Sequence, residues 1–135
     1  MKIIVDTCIW SLAFRQNRQT THSAVRELGE LIQESRVQLL GPIRQEILSG
    51  IRSDAQFLRL KDKLRAFPDF PMDSTDFECA AEFYNACRGK GIQGSNTDFL
   101  ICAVAHRHGV PIFTCDRDFE HYQAVLNILI HKWEK

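Results

Sequence analysis

Four acidic residues that are far apart in this 135-residue chain are its first candidates for chemistry. They are Asp6, Glu46, Asp98 and Asp116. Each stands beside apolar sequence, at a point where a buried strand or helix is expected to begin or end. Carboxylates held close together repel one another unless a cation or a proton lies among them. We therefore take a metal-ion site as the first hypothesis, with phosphate chemistry as its natural use.

Each of these acids also has a purely structural explanation. Asp6 fits a helix cap, although a carboxylate that follows apolar residues is costly to bury without a strong partner. Glu46, taken alone, is better explained as a solvated residue at the edge of a helix. Asp98 suits the third position of a capping box, and Asp116 and Asp118 suit a surface turn. The coincidence of the acids at one predicted sheet edge favours a shared site.

Strands alternate with helices along the whole chain. β-branched and apolar runs predict strands at residues 2–5, 37–40, 110–114 and 126–130. Apolar residues at helical spacing predict helices at residues 21–35, 42–50, 54–67, 73–88 and 95–108. This alternation predicts an α/β fold, a three-layer α/β/α sandwich with a central parallel sheet, as a single domain over residues 1–135.

The predicted elements carry several end signals. Thr20 or Thr21 suits the cap of the first long helix, and Asp54 suits the cap of a later one. The helix that opens at Asp98 is apolar nearly all round and should be the most buried, with Gly109 ending it. Ligands of parallel sheets bind outside the carboxyl ends of the strands, where this scheme puts Asp6 and Asp116.

Composition narrows the class of protein. Lys plus Arg and Asp plus Glu number 17 each, so the formal net charge is zero and offers no global attraction for nucleic acid. A nucleic-acid partner must then be held by local basic residues. Candidates for contacts with phosphates are Arg15, Arg18, Arg44, Arg52, Arg88 and Lys90.

The sequence also predicts a location. Its five cysteines form no Cys-x-x-Cys pair, which is typical of a reducing compartment. The apolar run before Asp6 is too short for a signal peptide, and no apolar run approaches the length of a membrane span. We expect a cytoplasmic protein.

Other chemical motifs are weaker. Cys102 and His106 lie one helical turn apart, as zinc ligands do, but partners for a closed tetrahedral site are not evident. A core cysteine and a surface histidine explain them better. The segment 88–91 has a basic residue on each side of a glycine, which suits either phosphate binding or a helix end. No phosphate-binding loop or dinucleotide motif is present.

Four segments resemble motifs of the PIN-domain ribonucleases of the VapC toxin type. In residues 3–10 an apolar run leads into Asp-Thr, and residues 43–50 contain Glu-Ile-Leu-Ser-Gly. Residues 96–105 resemble the buried helix that supplies a third acid, and residues 114–119 resemble the Thr-x-Asp-x-Asp-Phe ending. Each segment alone is a weak signal, but their order and spacing together are specific and span nearly the whole chain.

The resemblance implies a site and a cofactor. Asp6, Glu46, Asp98 and Asp116 would surround Mg²⁺ or Mn²⁺, with Asp118 as an additional ligand through water. The neighbouring polar residues Thr7, Asn96 and Thr114 would orient ligands or waters. Cys102 and Cys8 depart mildly from the pattern, at positions where Ala and Ser are usual, and neither departure removes an acid.

The resemblance further implies a function and partners. The chain would be a metal-dependent endoribonuclease that hydrolyses RNA, the toxin of a toxin–antitoxin pair. It would form a homodimer and bind a cognate antitoxin, for which Trp10, Leu12 and Phe14 are candidate docking residues if they are not core. The alternatives are a catalytically inactive PIN-like domain that binds RNA or a protein, and a receiver-like phosphotransfer domain, which should have a lysine at a late strand end.

Overall fold

The centre of the fold is a small parallel sheet. The computed structural model describes residues 1–15 and 22–134. Its strands are β1 (Ile3–Val5), β2 (Val37–Gln38) and β3 (Ile112–Phe113), arranged in the order β2-β1-β3. Ile3 pairs with Val37 and Ile4 pairs with Ile112, both in parallel register. The predicted α/β fold with a central parallel sheet is confirmed, with β1 in the middle.

Helices make up most of the rest of the described chain. They are α1 (Thr7–Arg15), α2 (Ser23–Gln33), α3 (Gly41–Leu48), α4 (Asp54–Leu64), α5 (Ser74–Gly89), α6 (Asn96–His108) and α7 (Asp118–Gln123). None of the helices in these described ranges has the length and apolar character needed to cross a membrane.

Two predicted helix caps differ from the structure. The side chain of His22 caps α2 by accepting a hydrogen bond from the Ala24 N–H, whereas Thr20 and Thr21 lie outside the described residues. Ser53, and not Asp54, caps α4, because its hydroxyl accepts from the Gln56 N–H and leaves Asp54 as the first helical residue. An acid there still stabilises the helix through its dipole.

The end of the chain was predicted incorrectly in two places. The proposed strand 126–130 is reduced to one isolated bridge between Ile112 and Ile130. The Ile128 N–H bonds locally to the Leu126 carbonyl, 3.1 Å away, so it cannot extend a ladder along β3. Helix α7 was not predicted, because its six residues bury only Phe119 and Tyr122, which are too few to show a helical period.

Helix α6 is the most buried of the described helices. Its residues from Phe99 to Ala105 are all buried, as its apolar sequence predicts. It packs along α5 on one side and contacts β3 on the other. The helix ends at Gly109, whose φ of 64° is a left-handed conformation that favours glycine. The first turn of α6, which carries Asp98, is thereby held at a defined place beside the sheet.

Trp10 belongs to the core and does not offer a docking surface. Its side chain is 2% exposed and packs against the rings of Phe14 and Phe67. Leu12 and Phe14 are half-buried against the same core. Of the two alternatives for Trp10, a docking residue or a core residue, the structure supports the core.

A buried carboxylate joins the ends of α5 and α6. Asp76 is 1% exposed, accepts a hydrogen bond from the Asp73 N–H in a capping box, and forms an ion pair with Arg107. Nε2 of His108 lies 3.6 Å from the same carboxylate. Burial raises the pKa of Asp76, but these hydrogen bonds and positive charges outweigh burial and lower it overall.

We predict that the Asp76→Asn variant loses about 2 to 4 kcal/mol of unfolding free energy at pH 7, because it leaves Arg107 without its buried partner. The lowered pKa means that the Asp76 carboxylate stabilises the fold above its unfolded pKa of about 4, and that this contribution disappears as the pH falls through the folded pKa. Urea unfolding at pH 7 and near pH 3 measures both effects.

The Asp62→Asn variant is the control for this experiment, since Asp62 is an exposed aspartate on α4. It should change stability by no more than about 0.5 kcal/mol. An Asp76→Asn loss that stays constant down to pH 3 would contradict the assigned role of the carboxylate charge.

Candidate active site

The structure brings three carboxylates together at the carboxyl end of β3. Asp98 lies in the first turn of α6, Asp116 follows β3, and Asp118 begins α7. One oxygen from each of them lies within 4.8 Å of the other two. Asp98 and Asp116 are half-buried and Asp118 is exposed, so the group opens to solvent on one side.

Local hydrogen bonds shape the loop that carries two of these acids. The Asp116 N–H donates to the Thr114 hydroxyl at 3.0 Å, and the Asp118 N–H donates to Oδ1 of Asp116 at 2.9 Å. Short polar side chains commonly form such turns. The turn therefore accounts for the placement of Asp116. Oδ1 of Asp116 accepts this local hydrogen bond, and Oδ2 of Asp116 does not take part in it.

Asp6 is tied to this group through Thr114. The Thr114 hydroxyl donates to Oδ2 of Asp6 at 2.8 Å, and the Thr7 N–H donates to Oδ1 at 2.7 Å. The Cys8 thiol also donates to Oδ2, at 3.4 Å. Asp6 is 5% exposed, so these bonds satisfy a buried carboxylate at the end of the central strand β1.

Burial and like charge raise the pKa of Asp6. Burial is the larger cause, the three hydrogen bonds oppose it, and the charge of Asp98 adds to the rise. Asp6 therefore lies within electrostatic reach of Asp98, although it does not belong to the tight group of three.

Asp98 combines a helix cap with a place in the group. The Ser95 hydroxyl accepts from the Asp98 N–H at 3.0 Å, so the Ser95 half of the predicted capping box is present. The Asp98 side chain instead accepts a hydrogen bond from the Tyr122 hydroxyl at 2.8 Å. Burial raises the pKa of Asp98 and the charges of Asp116 and Asp118 raise it further, against the hydrogen bonds from Tyr122 and Ser95.

Tyr122 was not identified from the sequence. It is fully buried on α7, and its ring packs against Phe99 and Phe119. A methyl group on Gly94 would lie 2.4 Å from the Tyr122 hydroxyl oxygen, so glycine at that position makes room for the phenol. Burial, followed by Asp98, raises the pKa of Tyr122, which keeps it a neutral hydrogen-bond donor. Its only signal in the sequence is its place one turn after Asp118.

Glu46 lies apart from the group of three. It is exposed on α3, the helix that follows β2, and it lines a groove with Ser11, Phe14 and Arg15 of α1. Glu46 is not among the three carboxylates whose oxygens lie within 4.8 Å of one another. Its role as a ligand stays a prediction.

The proposed phosphate-binding arginines differ in availability. Arg44 is engaged inside the protein, where it forms an ion pair with Asp69 at 2.8 Å and donates to the carbonyls of Leu64 and Phe67. It therefore holds the end of α4 and is not free for a phosphate, which corrects its predicted role. Arg18 lies outside the described residues. The remaining candidates are exposed, namely Arg15, Arg52, Arg88 and Lys90.

Cys102 and His106 have structural roles. Cys102 is fully buried in α6, where burial raises the pKa of its thiol. Nδ1 of His106 makes a 2.8 Å hydrogen bond with the Asn127 carbonyl. All five cysteines are free, Cys87 is buried like Cys102, and Cys115 is exposed. A core cysteine and a histidine that fastens the C-terminal segment explain this pair without zinc.

The residues around the carboxylates fit a hard divalent cation. The group of three offers only oxygen ligands, which is the donor set of Mg²⁺ and Mn²⁺. Burial, followed by the charges of neighbouring carboxylates, raises the pKa values of Asp6 and Asp98, so a cation bound there would favour their charged forms. The buried Thr7 hydroxyl has no hydrogen-bond partner among the described residues, which suits contact with a water or ligand.

Known proteins match the chain over nearly its whole length. A model of the PIN-domain family matches residues 3–125. The VapC ribonuclease Mb1587 of Mycobacterium bovis is 35% identical over 130 residues, which cover 93% of this chain and 95% of that protein. The match to the PIN-domain family gives no support to the alternative of a receiver-like fold.

Solved structures share the fold at lower identity. The structure of VapBC2 from Rickettsia felis, bound to a DNA fragment from its promoter, has a TM-score of 0.77 and 17% identity, with 99% of this chain and 100% of that chain covered. VapBC-5 of Mycobacterium tuberculosis, a member of the VapBC family of toxin–antitoxin systems, has a TM-score of 0.67 and 18% identity over 96% and 98% of the chains. With a family match across the sheet and the carboxylates, the chain belongs to the PIN-domain family of VapC ribonucleases.

Proposed function

We propose that this protein is a metal-dependent endoribonuclease that hydrolyses RNA phosphodiester bonds, acting as the toxin of a toxin–antitoxin pair. The observation that carries the proposal is the group of three carboxylates, in which one oxygen of each lies within 4.8 Å of the other two. The chain that holds this group is related to VapC ribonucleases. The hydrogen-bonded Thr114 connects them to Asp6. The active domain extends over residues 1–135.

Mg²⁺ or Mn²⁺ is the proposed cofactor. Asp98, Asp116 and Asp118 are its first candidate ligands, and Asp6 and Glu46 are the further ones. When bound, the ion supplies positive charge against the scissile phosphate and lowers the pKa of a water. Without that charge the carboxylates would repel RNA.

The protein's own groups orient the carboxylates and move the proton. The Thr114 hydroxyl holds Asp6, and the Tyr122 hydroxyl holds Asp98, each at 2.8 Å. Because these side chains are already held in place, little free energy is needed to reorient them during the reaction. We assign acceptance of the proton from the attacking water to Asp98 or Asp116, which both stand in the half-buried part of the group.

Similarity to solved toxin–antitoxin complexes supports the proposed protein partners. Because solved relatives are complexes of VapBC toxin–antitoxin systems, we propose a cognate antitoxin that covers the acidic site and a homodimeric toxin in the cytoplasm. A positively charged side chain of the antitoxin would be attracted by the same uncompensated carboxylates. The alternative, a catalytically inactive PIN-like domain that binds RNA or a protein, differs in having no metal-dependent cleavage.

Cleavage of RNA by the purified protein tests the proposed function directly. We expect cleavage with Mg²⁺ or Mn²⁺ and none with chelator. Asp6→Asn and Asp98→Asn should each reduce the rate by roughly 10² to 10³, since several kcal/mol of charge stabilisation are lost. Asp62→Asn serves as the control. Metal-dependent cleavage by a folded double variant, Asp6→Asn with Asp98→Asn, would refute the proposed site.

Thermal unfolding tests the metal site without turnover. Because the pKa of Asp98 is raised, its charged form opposes folding: stability falls as the pH rises from about 4 through the folded pKa, and the penalty persists at pH 7. In chelator, Asp98→Asn should therefore be more stable than the wild type at pH 7. Added Mg²⁺ should raise the Tm of the wild type more than that of the variant. Equal Mg²⁺ shifts in both would contradict metal binding by Asp98.

The Tyr122→Phe variant tests the positioning of Asp98. Loss of a partner that orients a metal ligand typically weakens metal affinity by about 10- to 100-fold. We expect the Mg²⁺ concentration for half-maximal cleavage to rise by roughly tenfold, with the rate largely restored at high Mg²⁺. A purely structural role would instead lower stability and leave the Mg²⁺ dependence of cleavage unchanged.

A further inference from the structure

A cavity of about 660 Å³ opens directly beside the candidate active site. Thr114 and Asp116 belong to both. The opposite wall is formed by His22, at the start of α2, and by the segment 130–133 near the C-terminus. Pockets of about 300 to 1,000 Å³ hold small organic ligands, so one nucleotide fits this volume.

The side chains that line this cavity suit a nucleotide. Arg117 and Lys132 are exposed, and neither forms an ion pair with any residue that the structure describes. Trp133 is half-buried and lines the same space. Cationic groups attract phosphates, and an indole packs against any base. Glu120 also lines the cavity and can accept a hydrogen bond from a base amino group.

The wall of the cavity is held in place by the core. The Trp133 ring packs edge-on against Phe113 with centroids 4.8 Å apart, and its Nε1–H donates to the Ser23 hydroxyl at 3.4 Å. Nδ1 of His22 accepts from the Ala24 N–H, which leaves its proton on Nε2 as a donor. A recognition surface on fixed side chains loses less entropy when it binds.

We propose that this cavity binds the RNA nucleotide next to the scissile phosphate, with its base packed against Trp133 and its flanking phosphate held by Lys132 and Arg117. This inference rests on the proposed function, because it takes the shared residue Asp116 as part of the catalytic centre. The cavity then extends that centre along the RNA strand. An antitoxin segment is the competing occupant, but the separate basic and aromatic groups match the two halves of a nucleotide.

The test measures RNA binding apart from cleavage. The full chain with Asp98→Asn would be titrated with a fluorescently labelled single-stranded RNA, and anisotropy would be followed at several salt concentrations. Adding Lys132→Ala should weaken binding and reduce the slope of log affinity against log salt by about 0.7, the value for one phosphate contact on a single strand. Adding Trp133→Leu should weaken binding by about tenfold and leave the slope unchanged.

Matched variants separate binding from folding. Lys63→Ala removes an exposed lysine of α4 that does not line the cavity, and should leave both affinity and slope unaltered. Trp133→Phe keeps an aromatic ring against Phe113 and should retain most of the affinity. A folded Trp133→Leu protein that binds like Trp133→Phe would overturn the stacking contact.

The two proposals fail in different ways. If Lys132→Ala and Trp133→Leu leave affinity and slope unchanged while the wild type cleaves RNA, the cavity is not an RNA subsite and the nuclease proposal stands. If both variants shift binding as expected but the wild type never cleaves, the subsite is supported and the nuclease proposal is refuted.

Discussion

The Thr114 hydroxyl connects the two strand ends on which the candidate site is built. It donates to the Asp6 carboxylate after β1 and accepts from the Asp116 N–H after β3. Thr114 is 7% exposed, so both bonds lie in a region where an unpaired polar group would be costly. The spacing between Asp6 and Asp116 thus depends on the pairing of two neighbouring parallel strands.

Burial of the carboxylates is the main cost of this arrangement, and charge repulsion adds to it. Burial and neighbouring carboxylates raise the pKa values of both Asp6 and Asp98. Each is restrained by a hydroxyl at 2.8 Å, Thr114 for Asp6 and Tyr122 for Asp98. The rest of the fold must offset this unfavourable free energy. The buried helix α6 and the Asp76 ion pair at its far end contribute to the stability that does so. Stability and the proposed activity therefore depend on different carboxylates of the same helix pair.

The C-terminal segment links the candidate site to the proposed subsite. It runs beside β3 through the bonds that Ile112 makes with Leu129 and His131, and so brings Trp133 and Lys132 to the cavity beside Asp116. His131 is itself held by Glu27 of α2 at 2.6 Å. A segment without regular structure can thus present a fixed surface, because hydrogen bonds to β3 and to Glu27 of α2 hold it in place.

The sequence alone determined the elements whose patterns are local. An apolar run ending in Asp6 predicted β1, and an all-round apolar helix with a Ser95 cap and Gly109 end predicted α6, because propensity and capping act between near neighbours. The acids of the candidate site were also identifiable, since Asp6 and Asp116 follow apolar strands and Asp98 opens the apolar helix. Long-range contacts decided the rest. The apolar sequence of residues 126–130 is compatible with either a full strand or a single bridge. Only tertiary packing brings Tyr122 to Asp98 and Arg44 to Asp69. Packing also buries Trp10 in the core and leaves Glu46 exposed.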